Sequence, residues 1–333
     1  MKPILTVGIT SYNRVRELAR CINSIKTKYK EDIEVLVSED KSPLSSEICE
    51  MVNTLAKNSD YKIRFTTNEI NLGYDMNLKA IIEKSYGKFV LLMSDDDALT
   101  DNCLDEIIEY LRTKPRCGVL YSPFKKYPTN KLSRVRGENN KILAGEANAA
   151  RLVYDSILFS GLIFRKEFVE NFNASRFKNY NYFQVYLFLQ MIYNYGGYYF
   201  KRPAVLCIGD GENAYGISES SGGNELLANR KSIKSNLEFN KTLIKIIKIF
   251  DEDCGTHVSS SFARQYSIHS YSGLSIARGE GKAYFKEYWK MFNELEIKKY
   301  PITRIYYYIL LFLGKEKADW LLGGIKKIAK RES

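Results

Sequence analysis

The sequence predicts an α/β protein with a mostly parallel sheet flanked by helices, followed by a helical C-terminal region. Two observations support the first part. Short apolar runs alternate with helically spaced apolar residues, and this alternation repeats four times within about the first 120 residues. This alternation is typical of parallel sheets, whose strands are buried on both faces by the covering helices. The third observation is that the chain from Asn229 is largely helical in its pattern, with Ile233, Leu237, Ile244 and Ile247 on one helical face.

Four strand–helix pairs are expected in the first third of the chain. The apolar runs that predict the strands are Ile4–Ile9, Ile33–Val37, Ile63–Thr66 and Phe89–Met93. Each run precedes apolar residues three or four positions apart, which predict helices near Val15–Ile25, Ile48–Leu55, Leu78–Ile82 and Leu104–Leu111. The α/β part then continues with strands near Val119–Tyr121 and Ser160–Arg165 and a helix near Tyr182–Tyr195.

We expect three segments along the chain. The α/β part covers 1–205, and its second half begins at about 118. Gly209–Gly223 contains five glycines among polar residues, so 206–228 is predicted to be a flexible loop. Residues 229–333 form the helical C-terminal region, which ends in a basic amphipathic tail.

Composition limits the class of partner. The 333 residues carry a formal net charge of +11, which favours nucleic acid, an anionic membrane surface or phosphorylated small molecules. Six scattered cysteines without metal-ligand spacing indicate reduced thiols in a cytosolic protein. The start of the chain does not match a secretory leader, and the longest apolar run, Ile305–Leu313, is too short to span a bilayer. We therefore expect a cytoplasmic protein.

The tail, residues 298–333, carries nine basic and three acidic residues, and its lysines lie opposite an apolar helical face. Such a helix suits an anionic membrane surface. The alternative is that it packs on the core or in a dimer interface. Nucleic acid is not expected, because the basic residues do not surround stacking aromatic side chains.

The residues that follow each predicted strand are the candidate site, because open parallel sheets bind ligands at the carboxyl ends of their strands. All four segments are polar: Thr10–Arg14, Ser38–Pro43, Asn68–Asn77 and Ser94–Leu99. The first has no glycine, which excludes the glycine-rich turn of dinucleotide-binding and P-loop proteins.

Asp95, Asp96 and Asp97 are the strongest signal among these residues. Adjacent carboxylates repel one another unless a cation neutralises them. Mg²⁺ and Mn²⁺ bind one or two carboxylates together with phosphate oxygens, so the three aspartates predict a metal–diphosphate site. The alternative is that they cap the following helix, which accounts for only one or two acids.

Three further side chains are candidates, each with an ordinary structural alternative. Asp40 can accept hydrogen bonds from a base imide or a ribose, or it can be a turn residue. Tyr12 offers an aromatic face to a base, or it packs against its neighbours. Arg14 can reach a phosphate from the start of the first helix, or it lies in solvent.

Together these segments resemble the family 2 glycosyltransferases of GT-A fold, and in particular the O-antigen and capsule branch that includes abequosyltransferase-like enzymes. The resemblance covers roughly 1–205 and rests on Thr10-Ser11-Tyr12-Asn13-Arg14, Asp40, Asn71-Leu72-Gly73 and Asp95-Asp96-Asp97. It implies inverting transfer of one sugar from a UDP-, GDP-, CDP- or dTDP-linked donor. The implied acceptor is a lipid-linked glycan, which the enzyme would meet at the inner face of the cell membrane.

The resemblance also implies roles for individual residues. Asp97, together with Asp95, would bind Mn²⁺ or Mg²⁺ on the donor diphosphate. The donor itself would contact Thr10, Tyr12, Asn13, Arg14, Asp40, Asn71, Gly73, Asn77, Asp95 and Asp96.

Two positions depart from the family pattern. Met76 stands where many relatives have an arginine just before the asparagine of the third segment. Gln184 occupies the position of the aspartate that deprotonates the acceptor, and glutamine cannot take a proton. We therefore expect the base among other acids, of which the candidates are Asp210, Glu212 and Asp155.

Two alternative functions follow from these features. A sugar nucleotidyltransferase also combines a parallel sheet with metal-binding aspartates, although it usually has a glycine-rich basic loop that this chain lacks. A catalytically inactive scaffold that binds a nucleotide sugar is the alternative that Gln184 suggests.

Overall fold

The computed structural model describes residues 2–114, 116–135, 140–210 and 233–329. The chain divides into two units, Met1–Gly223 and Asn224–Ser333, which are called the first and second unit below. Glu212 and most of the segment predicted as a flexible loop lie outside the described residues.

Four parallel strands begin the first unit, each followed by a helix. The strands are β1 (Leu5–Ser11), β2 (Ile33–Glu39), β3 (Lys62–Thr67) and β4 (Phe89–Ser94). The helices are α1 (Val15–Asn23), α2 (Ser45–Lys57), α3 (Tyr74–Lys84) and α4 (Cys103–Arg112). The α/β fold that the sequence predicts is therefore confirmed.

The carboxyl ends of these strands lie level with one another. Ser11 of β1 pairs with Glu39 of β2, and Glu39 pairs with Thr67 of β3. On the other side of β1, Thr10 pairs with Ser94 of β4. The four polar segments therefore leave the sheet at the same edge.

The main sheet has eight strands in the order β3-β2-β1-β4-β10-β6-β11-β9. The added strands are β6 (Val119–Tyr121), β9 (Asn140–Ile142), β10 (Ile163–Arg165) and β11 (Gly197–Tyr199). β10 runs antiparallel to both of its neighbours, β4 and β6. The helices of this half are α5 (Glu146–Leu152), α6 (Lys166–Val169) and α7 (Phe183–Tyr195).

A second sheet of four strands, in the order β5-β12-β7-β8, was not predicted. Its strands are β5 (Ala98–Leu99), β7 (Phe124–Lys126), β8 (Lys131–Ser133) and β12 (Val205–Cys207). Two sequence-based boundaries differ as a result. Ala98 and Leu99 form a strand instead of the end of a loop, and β12 continues two residues into the segment predicted as a loop.

Close packing of α3 on β1 depends on one glycine. Gly8 lies in β1, and a Cβ atom there would stand 2.3 Å from Cγ2 of Ile81 on α3. Ile81 is fully buried, so it has no free space into which to move. Only glycine lets this helix lie directly over the strand.

The second unit is helical. Its helices are α8 (Ile233–Cys254), α9 (Val258–His269), α10 (Tyr271–Gly279), α11 (Lys282–Met291) and α12 (Pro301–Ala329). Gly314 interrupts α12 with a non-helical conformation, φ 78° and ψ 176°. Beyond this break, Asp319 accepts hydrogen bonds from the hydroxyls of Tyr271 and Ser275 on α10. Within the described residues, no helix combines the length and apolar character needed to cross a membrane.

Candidate functional site

Three aspartates follow β4 and form the centre of the polar edge. Asp95 and Asp97 are 3% and 2% exposed, whereas the Asp96 side chain is 15% exposed. Because β4 is the central strand next to β1, its end lies beside the first loop, Thr10–Arg14. Asp95, Asp96 and Asp97 are called the aspartate loop below.

Asp97 is held by two donors from other parts of the chain. Its Oδ2 accepts a hydrogen bond from Ser160 Oγ at 2.6 Å, and its Oδ1 accepts one from the Ile208 N–H at 2.9 Å. Burial raises the pKa of this carboxyl to about 6, although the bond from Ser160 opposes the shift. These hydrogen bonds fix the position of the side chain, but they offset only part of the cost of burying its negative charge.

Asp95 is tied to the loop after β1. Its Oδ1 accepts a hydrogen bond from Arg14 Nη1 at 2.8 Å, and its Oδ2 accepts one from the Tyr12 N–H at 3.2 Å. The same Arg14 nitrogen lies 3.2 Å from Asp96 Oδ2. Burial raises the pKa of Asp95 to about 7, and the nearby Arg14 charge works against that shift.

The donor set of the aspartate loop fits a hard divalent cation. Arg14 pairs with two of the three carboxylates, those of Asp95 and Asp96, so an excess of negative charge remains when all three are ionised. A carboxylate has about four lone-pair sites, and those of Asp97 accept hydrogen bonds from Ser160 Oγ, the Ile208 N–H and the Cys207 thiol, so acceptor capacity remains. In the described part of the chain, no group of three or more metal-ligating side chains converges. A bound cation would therefore need additional oxygens, which a diphosphate can supply.

Asp40 organises the loop after β3. Its Oδ1 accepts hydrogen bonds from Asn68 Nδ2 at 2.9 Å and the Leu72 N–H at 2.8 Å, and its Oδ2 accepts one from the Gly73 N–H at 2.8 Å. Burial raises the pKa of this carboxyl despite those bonds. Gly73 has φ 77°, in the left-handed region that favours glycine, and directly precedes α3. The Asp40 side chain therefore has a structural role in this loop, and its predicted contact with the donor stays a prediction.

Asn77 lies beneath the site and is only 3% exposed. Its Oδ1 accepts hydrogen bonds from Ser38 Oγ and Asn68 Nδ2, and its Nδ2 donates to the Ser38 carbonyl. Asn71 accepts a hydrogen bond from the Gly73 N–H through its side chain. These contacts make Asn77 a support of the loop, and its predicted contact with the donor stays a prediction.

The remaining first-loop residues line the edge itself. Thr10 and Tyr12 are half-buried, and Asn13 is exposed with φ 59°. Sequence reasoning missed Glu39, which is fully buried and accepts hydrogen bonds from Ser42 N–H and from the hydroxyls of Ser45 and Thr67. The clustering of Ser and Thr around Glu39 and Asp40 was the only available signal, and it does not separate the two acids.

Gln184, at the position expected for the base, is 1% exposed and fully engaged. Its Oε1 accepts a hydrogen bond from the Tyr74 hydroxyl at 2.9 Å, and its Nε2 donates to the Ile157 carbonyl at 3.0 Å. Near it, Asp75 of α3 accepts two backbone N–H groups, one from Phe183, the first residue of α7, at 2.9 Å and one from Asn181, just before the helix, at 2.7 Å. These contacts join α3 to the half of the unit expected to bind the acceptor.

The other candidate bases lie in different surroundings. Asp210 makes a bidentate pair with Arg20, which lowers the pKa of its carboxyl. A base works best with a pKa near the working pH, so this pairing does not favour proton uptake. Asp155 is buried in the turn Val153–Ser156, and Glu212 is outside the described residues.

The level strand ends, the aspartate loop and the antiparallel β10 agree with the GT-A glycosyltransferase class that the sequence resembles. The chain belongs to glycosyl transferase family 2, because the sequence profile of that family matches residues 6–176, more than half of the chain. This membership decides against the sugar nucleotidyltransferase alternative.

Two characterised relatives have similar sequences. Abequosyltransferase RfbV of Salmonella typhimurium is 26% identical over 233 residues, which is 63% of this chain and 68% of the relative. A GalNAc(5)-diNAcBac-PP-undecaprenol beta-1,3-glucosyltransferase of Campylobacter jejuni is 29% identical over 107 residues, 32% of this chain and 34% of the relative.

Solved structures confirm the fold. The crystal structure of S. aureus TarS 1-349 has a TM-score of 0.53 and 15% identity, and the match covers 97% of this chain and 92% of TarS. TarS 1-349 in complex with UDP-GlcNAc also has a TM-score of 0.53, with 13% identity and the same coverage. At this identity the likeness shows the architecture alone.

Proposed function

We propose that this enzyme transfers one sugar, with inversion, from a nucleotide-sugar donor to a lipid-linked glycan during surface polysaccharide synthesis. The observation that carries the proposal is the meeting of the aspartate loop with the Tyr12–Arg14 segment. Carboxylates for a cation, an aromatic ring and an arginine thus stand at one sheet edge, as a nucleoside diphosphate requires. The name of the Campylobacter relative supports the glycan and polyprenol part of the proposal, and the name of the Salmonella relative supports sugar transfer.

The chain's own residues would position the donor. Asp97, with Asp95, would hold Mn²⁺ or Mg²⁺, and the cation supplies positive charge for the departing diphosphate. Arg14 adds positive charge at the same place while it keeps Asp95 oriented. Tyr12 would stack on the base, and Asp40 keeps the third loop in place through Leu72 and Gly73. Inversion requires a base on the opposite face of the sugar, which deprotonates the acceptor hydroxyl as it attacks.

Calorimetric titration with UDP, GDP, CDP and dTDP, each with and without Mn²⁺, tests the donor site. We expect Mn²⁺-dependent binding of at least one nucleotide, which Asp97→Ala abolishes and Asp101→Ala leaves unchanged. The Asp101 side chain is 88% exposed and lies four residues beyond Asp97, so it is a matched control. Binding that survives Asp97→Ala in a folded variant would contradict the metal–diphosphate assignment.

We also propose that the second unit binds an anionic membrane surface. Ile305, Tyr308 and Phe312 lie on one face of α12 and are 51%, 53% and 79% exposed. Trp320, beyond the break at Gly314, is 82% exposed. The unit has 20 basic and 12 acidic residues, so its charge complements anionic headgroups. Exposed aromatic side chains beside lysines are typical of interfacial helices.

Flotation with phosphatidylglycerol-containing liposomes tests this surface. Phe312→Ser with Trp320→Ser should reduce the bound fraction, because both side chains would lose apolar contact with the bilayer. Tyr127→Ser is the control, since Tyr127 is 59% exposed but lies in the first unit. Equal flotation of all three proteins would refute the proposal.

A nucleotide-sugar-binding scaffold is the second candidate, because Gln184 is buried where the base is expected. Donor hydrolysis over a panel of nucleotide sugars separates the two functions. Complete inertness with every donor, together with Mn²⁺-dependent nucleotide binding, would favour the scaffold over the enzyme.

A further inference from the structure

Arg20 joins two distant parts of the first unit beside the aspartate loop. Its Nη1 and Nη2 donate to the two oxygens of Asp210 at 2.7 and 2.6 Å, and Nη2 also donates to the Asp96 carbonyl at 3.0 Å. These contacts fix the guanidinium against the backbone of Asp96, the residue before Asp97 in the sequence. Arg20 is not among the residues predicted to bind the donor or the metal or to act as the base.

Stability does not explain the ion pair between Arg20 and Asp210. The two side chains are 37% and 48% exposed, and ion pairs at such exposure contribute little, about 0–1 kcal/mol. The contact to the Asp96 carbonyl, in contrast, holds the guanidinium in place whichever anion it faces. What the structure presents is a fixed, partly exposed fork of N–H donors at the edge of the proposed diphosphate site.

We propose that Arg20 binds a phosphate of the donor diphosphate, and that Asp210 occupies the place of that phosphate when no donor is bound. The inference rests on the proposed function of the site. A guanidinium offers the same parallel pair of N–H donors to phosphate as to carboxylate. The exchange breaks no covalent bond, since one anion replaces another on the same two nitrogens.

The charges around the site favour the exchange. The three carboxylates of the aspartate loop balance the charges of Arg14 and of the proposed divalent cation, so the negative charge of a bound diphosphate is offset only by further positive charge nearby. Arg20 supplies that charge only when Asp210 leaves, because the carboxylate neutralises it in the paired state. Arg20 and Asp210 therefore have opposite effects on donor affinity, although they form a single ion pair.

Titration calorimetry in the presence of Mn²⁺, with whichever of UDP, GDP, CDP and dTDP binds most tightly, tests the inference. Arg20→Gln should weaken binding about tenfold or more, because a charged bidentate contact is lost. Arg20→Lys should fall between this variant and the natural protein, since lysine keeps the charge but not the fork. Asp210→Ala should tighten binding, because the competing carboxylate is gone.

The matched control is Arg112→Gln, which removes a comparable surface arginine. Arg112 donates to Asp32 at 2.6 Å, and the two side chains are 43% and 29% exposed. This variant should bind nucleotide as the natural protein does. Melting temperatures of all variants identify any that fail to fold, in which case Arg20→Lys and Asp210→Ala carry the comparison.

The outcomes separate this inference from the proposed function. Weaker binding in both Arg20→Gln and Asp210→Ala would show that the pair only positions the loop, which overturns the inference. Unchanged binding in Arg20→Gln would overturn it as well, with the donor site intact. If the natural protein binds none of the nucleotides, the proposed donor site is wrong and the role of Arg20 falls with it.

Discussion

Replacing Asp75 by asparagine should destabilise the first unit by an amount that depends on pH. Asp75 is 2% exposed and accepts the N–H groups of Asn181 and Phe183, which hold the start of α7 against α3. Burial raises the pKa of its carboxyl from 3.8 to about 7, in spite of these hydrogen bonds. Asparagine does not titrate, and its amide nitrogen cannot accept a backbone N–H.

The magnitude follows from the two pKa values. Between pH 4 and pH 7 the folded protein holds the Asp75 proton more tightly than the unfolded chain, so the stability contributed by this group falls as pH rises. From pH 5 to pH 7.5 the loss is about 2 kcal/mol. The stability of the asparagine variant does not fall with pH in this way. The variant has one acceptor oxygen fewer for the N–H groups of Asn181 and Phe183, which costs about 1–3 kcal/mol. Its deficit relative to the natural protein should therefore be about 2 kcal/mol larger at pH 5 than at pH 7.5.

Urea unfolding of both proteins at the two pH values, followed by far-ultraviolet circular dichroism, measures this difference. Asp101→Asn is the control, because its side chain is 88% exposed and its replacement removes no buried acceptor. The same deficit for Asp75→Asn at both pH values would refute the reasoning. It would mean that the hydrogen bonds from α7 compensate fully for burial of the charge.

Three further changes have expected outcomes. Gly8→Ala places a Cβ 2.3 Å from Ile81 Cγ2, so urea unfolding should show a loss of about 1–3 kcal/mol. Glu39→Gln turns a buried acceptor of several hydrogen bonds into a side chain with only one acceptor oxygen, and thermal melting should show a lower midpoint. Gln184→Glu leaves the Ile157 carbonyl without its donor, so the variant should be less stable and transfer sugar no faster in a donor-consumption assay.

The long parallel strands and their common edge were predictable from the sequence. Mostly apolar runs such as Ile33–Val37, each followed by a helix, are typical of parallel strands buried on both faces, and parallel neighbours end at the same edge. The second sheet was not predictable in this way. Its strand β5 is two residues long, and its partner β12 lies about a hundred residues further along the chain. A strand of that length has no period for a pattern to detect.

The meeting of the candidate residues at one sheet edge was predictable, but the hydrogen bonds that each side chain makes there were not. Asp40 and Glu39 are adjacent acids at one strand end, and only the folded loop shows that Leu72 and Gly73 donate to Asp40. Likewise, only the folded structure shows that Asn77 Oδ1 accepts a hydrogen bond from Ser38 Oγ. Spacing along a chain indicates which side chains come close, whereas the backbone N–H groups that face them depend on loop conformation.

The predicted role of Asp210 as the base is compatible with its pairing to Arg20 if the two belong to different states. Arg20 lowers the pKa of Asp210 while the two side chains are paired. A phosphate that replaces Asp210 on the Arg20 guanidinium would remove this effect. The carboxylate would then be released beside the donor with a pKa closer to that of a working base. Asp210→Asn separates the two roles, because asparagine cannot neutralise Arg20 and cannot take a proton. If Asp210 only competes for Arg20, the variant binds nucleotide more tightly in calorimetry and retains its turnover. If Asp210 is also the base, binding tightens while turnover at saturating donor falls about a hundredfold or more.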